Sequence, residues 1–224
     1  MTLDDFMDGL TSLHSSNAFN PYIDACDEHD RVDAPEIRRR NLRLVLEAAI
    51  AMGVDSIWIA RDLGYRGGRR TGLALTDEVH LGAHATLYGS LPLAKATRGP
   101  VVAELTARVI WASLREVGKP IFLWNVFPLH PHSAGEPLSN RPHTREERRS
   151  ASHLITWLVA ALQPRTIVAI GKDAASALEE RGIKSAIVRH PSYGGQHDFT
   201  AGIAQAYRLP RVKRAEADVQ LPLF

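Results

Sequence analysis

The sequence predicts an α/β protein, built as a three-layer α/β/α sandwich around a central four-stranded parallel sheet. Short apolar runs alternate with longer amphipathic segments, and this alternation is typical of βαβ units with right-handed crossovers. The apolar runs lack the alternating polar residues of a half-exposed strand, as expected for strands buried on both faces. The four predicted strands are residues 56–60, 120–124, 166–170 and 183–188.

Length and composition favour one globular domain. The chain has 224 residues, of which 45% are hydrophobic and 23% charged, values typical of a soluble α/β domain. Lys and Arg number 27 against 25 Asp and Glu, so the net charge of +2 does not by itself mark a nucleic-acid-binding protein. Arginines nevertheless cluster at residues 66–70 and 141–149, and local basic patches bind phosphates. We predict a single domain at residues 1–207.

The helices are predicted from apolar periodicity together with start and stop signals. A short helix is expected near residues 3–13. Asp33 and Glu36 have the spacing of a capping box, with Pro35 in the first turn, so a helix should run from there to about Met52. Thr144 and Glu147 have the spacing of a second capping box. Further helices are expected at residues 99–117, about 144–162, 173–181 and 197–207.

The remaining segments are predicted as loops and a tail. The loop at 61–72 is rich in glycine, which lets the backbone turn tightly and approach a ligand. Residues 73–97 are expected to be mostly loop with a short helix, and the polar, proline-rich stretch 133–143 to be loop. Residues 208–224 contain two prolines and mixed charges and are predicted to be a disordered tail.

Cysteine content and apolar runs exclude several classes of protein. Cys26 is the single cysteine, so one chain cannot build a disulfide framework, a cysteine-based zinc site or a four-cysteine iron–sulfur cluster. The first residues are acidic and lack the apolar core of a signal peptide, and no apolar run reaches the length of a membrane span. We therefore expect a cytosolic protein without membrane association.

Three polar residues follow three different predicted strands. Asp62, Asn125 and His190 each come just past a strand's C-terminal end. Parallel strands bring these ends to one edge, where ligands of open α/β sheets bind. A carboxylate can orient water, an imidazole can stabilise a developing oxyanion, and an amide matches the edge of a nucleobase. Basic residues around such a cleft would hold phosphates.

These motifs, taken in order, resemble the uracil-DNA glycosylase superfamily over about residues 55–205. The segment His190-Pro191-Ser192 matches the superfamily's second active-site motif, Asn125 matches its base-reading position, and the loop at 60–72 matches its first motif. Ala60 and Leu63 depart from the Gly and Pro of the best-known branch, whereas Asp62 falls where that branch carries a water-activating Asp. With one cysteine, the chain resembles an atypical branch without an iron–sulfur cluster.

The resemblance implies a DNA repair enzyme that flips uracil out of DNA and hydrolyses its N-glycosidic bond, leaving an abasic site. It implies no metal and no cofactor. Asn125 would bind uracil N3–H and O4, His190 would donate to O2, and Asp62 would face the sugar and orient water. Asp77 and Glu78 remain alternatives to Asp62 as the working carboxylate.

The resemblance also implies where DNA is bound. Tyr65 and Phe127 are both candidates for stacking on uracil, and Tyr193 for a wedge that fills the space left by the base. The predicted DNA-binding residues are Arg66, Arg69, Arg70, Ser192, Tyr193 and Gly194.

Two other functions are compatible with the same residues. One is a non-catalytic module that binds a DNA lesion or an abasic site. The other is a metal-dependent hydrolase built on His130, His132 and Asp62, with His143 and Glu136 nearby. A proline-rich loop gives metal ligands little supporting structure, so we predict no metal site.

The C-terminal residues suggest a protein partner. Gln220, Leu221, Leu223 and Phe224 resemble the peptide by which bacterial repair proteins dock on the sliding clamp. The alternative is a frayed tail with scattered apolar residues. We expect a monomer that acts on uracil-containing DNA at the nucleoid.

Overall fold

The computed structural model describes residues 1–209. The predictions for the clamp-like peptide and most of the tail concern residues 210–224 and lie outside the described residues. Among residues 1–209, no helix combines the length and the apolar character needed to cross a membrane.

A four-stranded parallel sheet forms the centre of the molecule, as the sequence predicts. Its strands are β2 (Ser56–Asp62), β3 (Ile121–Phe127), β5 (Thr166–Ile170) and β6 (Ala186–Val188), in the order β3-β2-β5-β6. The chain leaves β2 towards one edge and β5 towards the other, and ligands of open α/β sheets bind at the carboxyl ends of strands related in this way. Two short strands, β1 (Ala18–Phe19) and β4 (His130–Pro131), lie outside this sheet.

Helices cover both faces of the sheet and confirm the three-layer arrangement. Helices α1 (Leu3–Thr11), α2 (Ala34–Met52), α6 (Arg145–Leu162) and α7 (Lys172–Glu179) pack on one face, and α5 (Leu105–Val117) and α8 (Gln196–Tyr207) pack on the other. Two short helices precede α5. The first, α3 (Gly68–Thr71), lies in the glycine-rich loop at 61–72, and α4 (Leu81–Leu87) lies in residues 73–97, which were predicted to be mostly loop with a short helix.

Successive strand residues point to opposite faces and so feed two separate apolar cores. In β2, Ile57 and Ile59 pack under the four-helix layer, while Trp58 and Ala60 pack under α5 and α8. The Trp58 indole donates to the Tyr207 hydroxyl at 2.7 Å, which fixes the C-terminal end of α8 to the sheet.

The two predicted capping boxes have different outcomes. At α6 the box is present, and Thr144 Oγ1 accepts from the Glu147 amide at 3.1 Å. At α2 the helix starts where predicted, but the Asp33 side chain makes no cap bond. It accepts from Arg31 Nε at 3.1 Å instead, so a nearby cation competes successfully for this carboxylate.

The antiparallel pair of β1 and β4 is absent from the sequence-based prediction. Ala18 pairs with Pro131 and Phe19 with His130, and the His132 amide continues the contact by donating to Asn17 O at 2.8 Å. Strands of two residues are too short to show an alternating pattern. This pairing ties the N-terminal segment to the loop that follows β3.

A buried ion pair joins α2 to the segment before it. Arg38 and Asp30 are in contact, and only 0% and 1% of their side chains is exposed. We expect Asp30→Ala to lower the free energy of unfolding by about 3–5 kcal/mol, because it leaves a buried guanidinium without its carboxylate. Urea denaturation followed by circular dichroism measures the loss.

Asp33→Ala is the matched control. Asp33 pairs with Arg31 on the surface, where 41% and 50% of the two side chains is exposed, and such pairs contribute about 1 kcal/mol or less. Equal losses in the two variants would contradict the structural role assigned to the Arg38–Asp30 pair.

Candidate functional site

The candidate site lies at the carboxyl edge of the sheet, meaning the C-terminal ends of its strands. Asp62 is the last residue of β2, and His190 follows β6 by two residues. The sequence predicts Asn125 just past its strand, whereas it lies inside β3, where it pairs with Ala60. The Asn125 amide donates through Nδ2 to the main-chain oxygen of Asp62 at 2.9 Å. Two of the three predicted residues are therefore in direct contact.

The Asn125 side chain offers an open acceptor in a buried position. Only 1% of the residue is exposed, and its Oδ1 has no hydrogen-bond partner within residues 1–209. A buried acceptor without a partner costs about 1–3 kcal/mol. The bond to Asp62 also uses one of the two Nδ2 protons, so the amide can still present one donor and one acceptor to a ligand.

Asp62 is held by groups on both sides of its carboxylate. Arg61 Nε donates to Oδ2 at 2.6 Å, and the His143 ring contacts Oδ1 through Nδ1. The guanidinium of Arg61 also reaches Asp173 at the start of α7, with 3.4 Å between Nη1 and Oδ2. These bonds fix a carboxylate of which 6% is exposed at the edge of the sheet.

His190 is positioned by the residue two places after it. The Ser192 amide and hydroxyl lie 3.2 and 2.8 Å from His190 Nδ1. A main-chain N–H can only donate, so Nδ1 accepts and the neutral ring carries its proton on Nε2. Burial lowers the pKa of His190, and Arg61 lowers it further, while Asp62 and Asp173 act in the opposite direction. The result is a neutral imidazole that presents an N–H donor.

The segment after His190 forms an exposed turn. Tyr193 is 98% exposed and has a φ of 51°, a left-handed conformation that is uncommon for residues with a side chain. A Cβ at Gly195 would collide with the His190 carbonyl, so the chain folds back closely on itself there. The Ser192 hydroxyl has a single proton, which is directed to His190. It therefore positions the ring, and its predicted phosphate contact requires that bond to break.

Two of the three arginines predicted to bind DNA are buried. Arg69 and Arg70 are 2% and 7% exposed, and Arg69 lies over the Phe19 ring at 4.0 Å while Arg70 pairs with Glu78 at 3.3 Å. Their place in a Gly-rich loop suggested exposure, but the loop continues into α3 and turns both side chains inward. Neither guanidinium is therefore exposed to a phosphate in this structure, and of the three arginines only Arg66 is exposed.

The rival carboxylates Asp77 and Glu78 are both occupied by main-chain groups. Asp77 accepts from the amides of His80 and Glu104 at 3.0 and 2.6 Å. Glu78 accepts from the Val102 amide at 2.8 Å and forms an ion pair with Arg70. Both tie their loop to the segment before α5, which makes Asp62 the better-placed candidate.

The two aromatic candidates for base stacking differ in accessibility. Phe127 is 1% exposed and packs in the core, with its ring centroid 6.0 Å from that of His143. Tyr65 is half-buried beside Arg66, and its amide donates to Asn140 Oδ1 at 3.1 Å. Of the two, Tyr65 has surface that an incoming base can reach.

The histidines after β3 do not gather into a ligand set. Within residues 1–209, no group of three or more His, Cys, Asp or Glu side chains is arranged to hold a metal ion. His130 Nε2 lies 2.8 Å from the Ser139 carbonyl, His132 contacts Ser133, and His143 contacts Asp62. Burial lowers the pKa of His130 to about 4, so that its ring is a neutral structural group.

Glu104 is a further carboxylate beside the loop that follows β2. It precedes α5, and a Cβ at Gly64 or Gly67 would collide with its carboxylate oxygens, so these glycines make room for it. Burial raises the pKa of Glu104 to about 7, and Asp77 raises it further, while Arg66 opposes the shift. Glu104 therefore changes its charge near neutral pH at the rim of the site.

The sequence analysis did not assign Arg61 or Glu104 to the site, and it named His143 only beside the alternative metal site. A usable signal existed for His143, because it directly precedes the capping box of α6. In a βαβ unit the helix starts at the carboxyl edge of the sheet. This position therefore lies at the same edge as Asp62. No local pattern indicates that Glu104 and Gly64 meet, because their contact depends on how α5 packs.

Two comparisons with known proteins found similar sequences and structures. A family model described as "Uracil DNA glycosylase superfamily" matches residues 65–210. Among solved structures, the crystal structure of wild-type SMUG2 from Pedobacter heparinus aligns with a TM-score of 0.57 at 12% identity, covering 92% of this chain and 96% of that one. At this identity the alignment supports the fold alone. No curated protein matches the sequence.

The raised pKa of Glu104 predicts a pH-dependent loss of stability. Between the ordinary value of 4.5 and about 7, the folded protein keeps a proton that the unfolded chain has released. The stability that this proton contributes is complete below pH 4.5 and is lost as the pH rises through about 7. Glu104→Gln avoids this loss, so its free energy of unfolding should rise relative to wild type between about pH 5 and about pH 8.

Urea denaturation at both pH values measures this difference. Glu116→Gln, at an exposed position of α5, is the control and should show no such trend. A Glu104→Gln difference that is the same at both pH values would contradict the assigned role of burial.

Proposed function

The chain belongs to the uracil DNA glycosylase superfamily, and we propose that within it this protein excises uracil from DNA. The reaction is hydrolysis of the N-glycosidic bond, which leaves an abasic site. The observation that carries the proposal is the buried Asn125 amide, whose Oδ1 lacks a partner at the edge of the sheet where Asp62 and His190 also lie.

The Asn125 amide matches the edge of uracil and not that of cytosine. Uracil presents a donor, N3–H, next to the acceptor O4. Oδ1 can accept from N3–H while the remaining Nδ2 proton is donated to O4. Cytosine has no proton on N3 and carries an amino group at C4. It would therefore leave Oδ1 unpaired and place the Nδ2–H donor opposite the donor of the amino group. Sites built on such hydrogen bonds reject the wrong partner strongly, because buried polar groups are then left unpaired.

His190 and Asp62 act on opposite charges that develop as the bond breaks. Electrons move onto uracil, and the Nε2–H of neutral His190 can donate to O2 as its negative charge grows. The sugar becomes cationic, and the fixed carboxylate of Asp62 stabilises that cation as the carboxylates of glycosidases do. The two groups thus favour the transition state over the intact nucleotide.

DNA is engaged by the exposed turn and by the rim of the cleft. A base in a duplex must leave the stack before these groups can reach it. Tyr193, with Gly194 beside it, is placed to enter the vacated space, and Arg66 is the exposed cation for a phosphate. Tyr65 is the aromatic side chain assigned to stack on uracil. We expect uracil excision to take place in the cytoplasm, at the nucleoid.

Release of free uracil from DNA tests the proposed function. A labelled oligonucleotide with one uracil should yield uracil and an alkali-sensitive abasic site, in the presence of a metal chelator. The same oligonucleotide with cytosine or thymine should not be cut. Tight binding of uracil-containing DNA without release would favour a non-catalytic lesion-binding module. Activity that disappears in chelator would favour a metal-dependent hydrolase.

Asn125→Asp tests the base-reading role. A carboxylate cannot donate to O4, so uracil excision should fall by about 10-fold or more, the equivalent of a lost base contact of about 1–3 kcal/mol. Excision of cytosine should become measurable, because a carboxylate accepts from its amino group. Asn17→Asp, at an exposed position, controls for the added charge. Unchanged excision of uracil by Asn125→Asp would remove Asn125 from base reading.

A further inference from the structure

His143 and Asp62 form the pairing of imidazole and carboxylate by which many hydrolases activate a nucleophile. The ring contacts Asp62 Oδ1 through Nδ1, and only 5% and 6% of the two side chains is exposed. We infer that His143 is the general base of the reaction and that Asp62 positions it. The inference rests on the proposed glycosidase function and changes which group receives the proton of the attacking water.

The hydrogen bonds of Asp62 determine the protonation of the ring. An ionised carboxylate offers only acceptors, and Oδ2 already accepts from Arg61 Nε at 2.6 Å. His143 Nδ1 must therefore donate to Oδ1, which places the lone pair on Nε2. Nε2 has no partner among residues 1–209 and is not one of the fully buried polar atoms there. It is free to accept a hydrogen bond from water.

The surroundings of His143 hold the ring in one orientation. Thr144 follows it directly and caps α6 through the capping box with Glu147. Glu147 also accepts two bonds from Arg141, at 2.6 and 2.8 Å, so both sides of His143 are anchored. The Phe127 ring packs against the imidazole. A base fixed in this way needs little reorganisation during the reaction, as a general base should.

The reaction balances with water as the only co-substrate. The electron pair of the C1′–N1 bond leaves with uracil, whose O2 is bound by His190. The water oxygen forms the new bond to C1′, and its proton passes to His143 Nε2. The imidazolium that forms is held by the carboxylate of Asp62 and later gives its proton to solvent, while the departing uracil anion takes one proton from solvent to become free uracil. Asp62 thus stabilises both the sugar cation and the protonated His143, and it does not bind the water itself.

The test is single-turnover excision of uracil from a single-stranded oligonucleotide by His143→Asn. Asparagine keeps an N–H donor for Asp62 near the position of Nδ1 and has no atom in place of Nε2. We expect the chemical step to slow by about 100-fold, as for the loss of a general base, with a dissociation constant for DNA close to that of wild type. His153→Asn, at an exposed position of α6, is the matched control and should keep the wild-type rate.

A second variant separates a base from a group that only positions Asp62. His143→Ala is assayed with and without imidazole in solution, below the melting transition of every variant. Imidazole should raise its rate in proportion to concentration. A wild-type rate in His143→Asn, or a slow His143→Ala that imidazole does not accelerate, would overturn the inference while the proposed function stands. If wild type releases no uracil, the proposed function fails and the inference fails with it.

Discussion

Asp62 is the residue on which the rest of the site depends, because three parts of the molecule meet at its oxygen atoms. Its main-chain oxygen accepts from Asn125, and its carboxylate accepts from Arg61 and contacts His143. One residue at the end of β2 therefore sets the position of an amide on β3 and of a ring on the loop before α6. Arg61 extends the connection to Asp173 on α7. Removal of this carboxylate would leave the buried His143 ring without its partner, which is costly in a low-dielectric environment.

Buried charges also support the loop that follows β2, and they explain why several polar residues near the cleft are not available to a ligand. Arg70 with Glu78 and Arg38 with Asp30 are almost fully enclosed. Arg38 Nε also donates to the main-chain oxygen of Arg70 at 3.1 Å, so the two pairs are linked. Charged residues close to a functional site are thus divided between those that face a ligand and those that hold the loop in place.

The sequence was sufficient for the fold and for bringing two of the candidate site residues to one edge of the sheet. Buried parallel strands have a strong local pattern, and the rule that their carboxyl ends share an edge brought Asp62 and Asn125 together correctly. Features that depend on packing could not be predicted from the sequence. Arg69 and Arg70 were predicted to be exposed, because the pattern of a Gly-rich loop does not indicate the α3 turn that buries them. Glu104 was missed because its contact with Gly64 exists only once α5 is packed on the sheet.

The turn from His190 to Tyr193 carries a consequence for how substrates would be selected. Two residues separate His190 from Tyr193, the exposed aromatic side chain of the turn, and Ser192, between them, is bonded to the His190 ring. Under the proposed function, resistance of the helix to opening at Tyr193 is transmitted to His190. The strength with which a lesion is paired would then influence excision alongside its chemical identity. Weakly held mispairs would then be excised before well-paired ones.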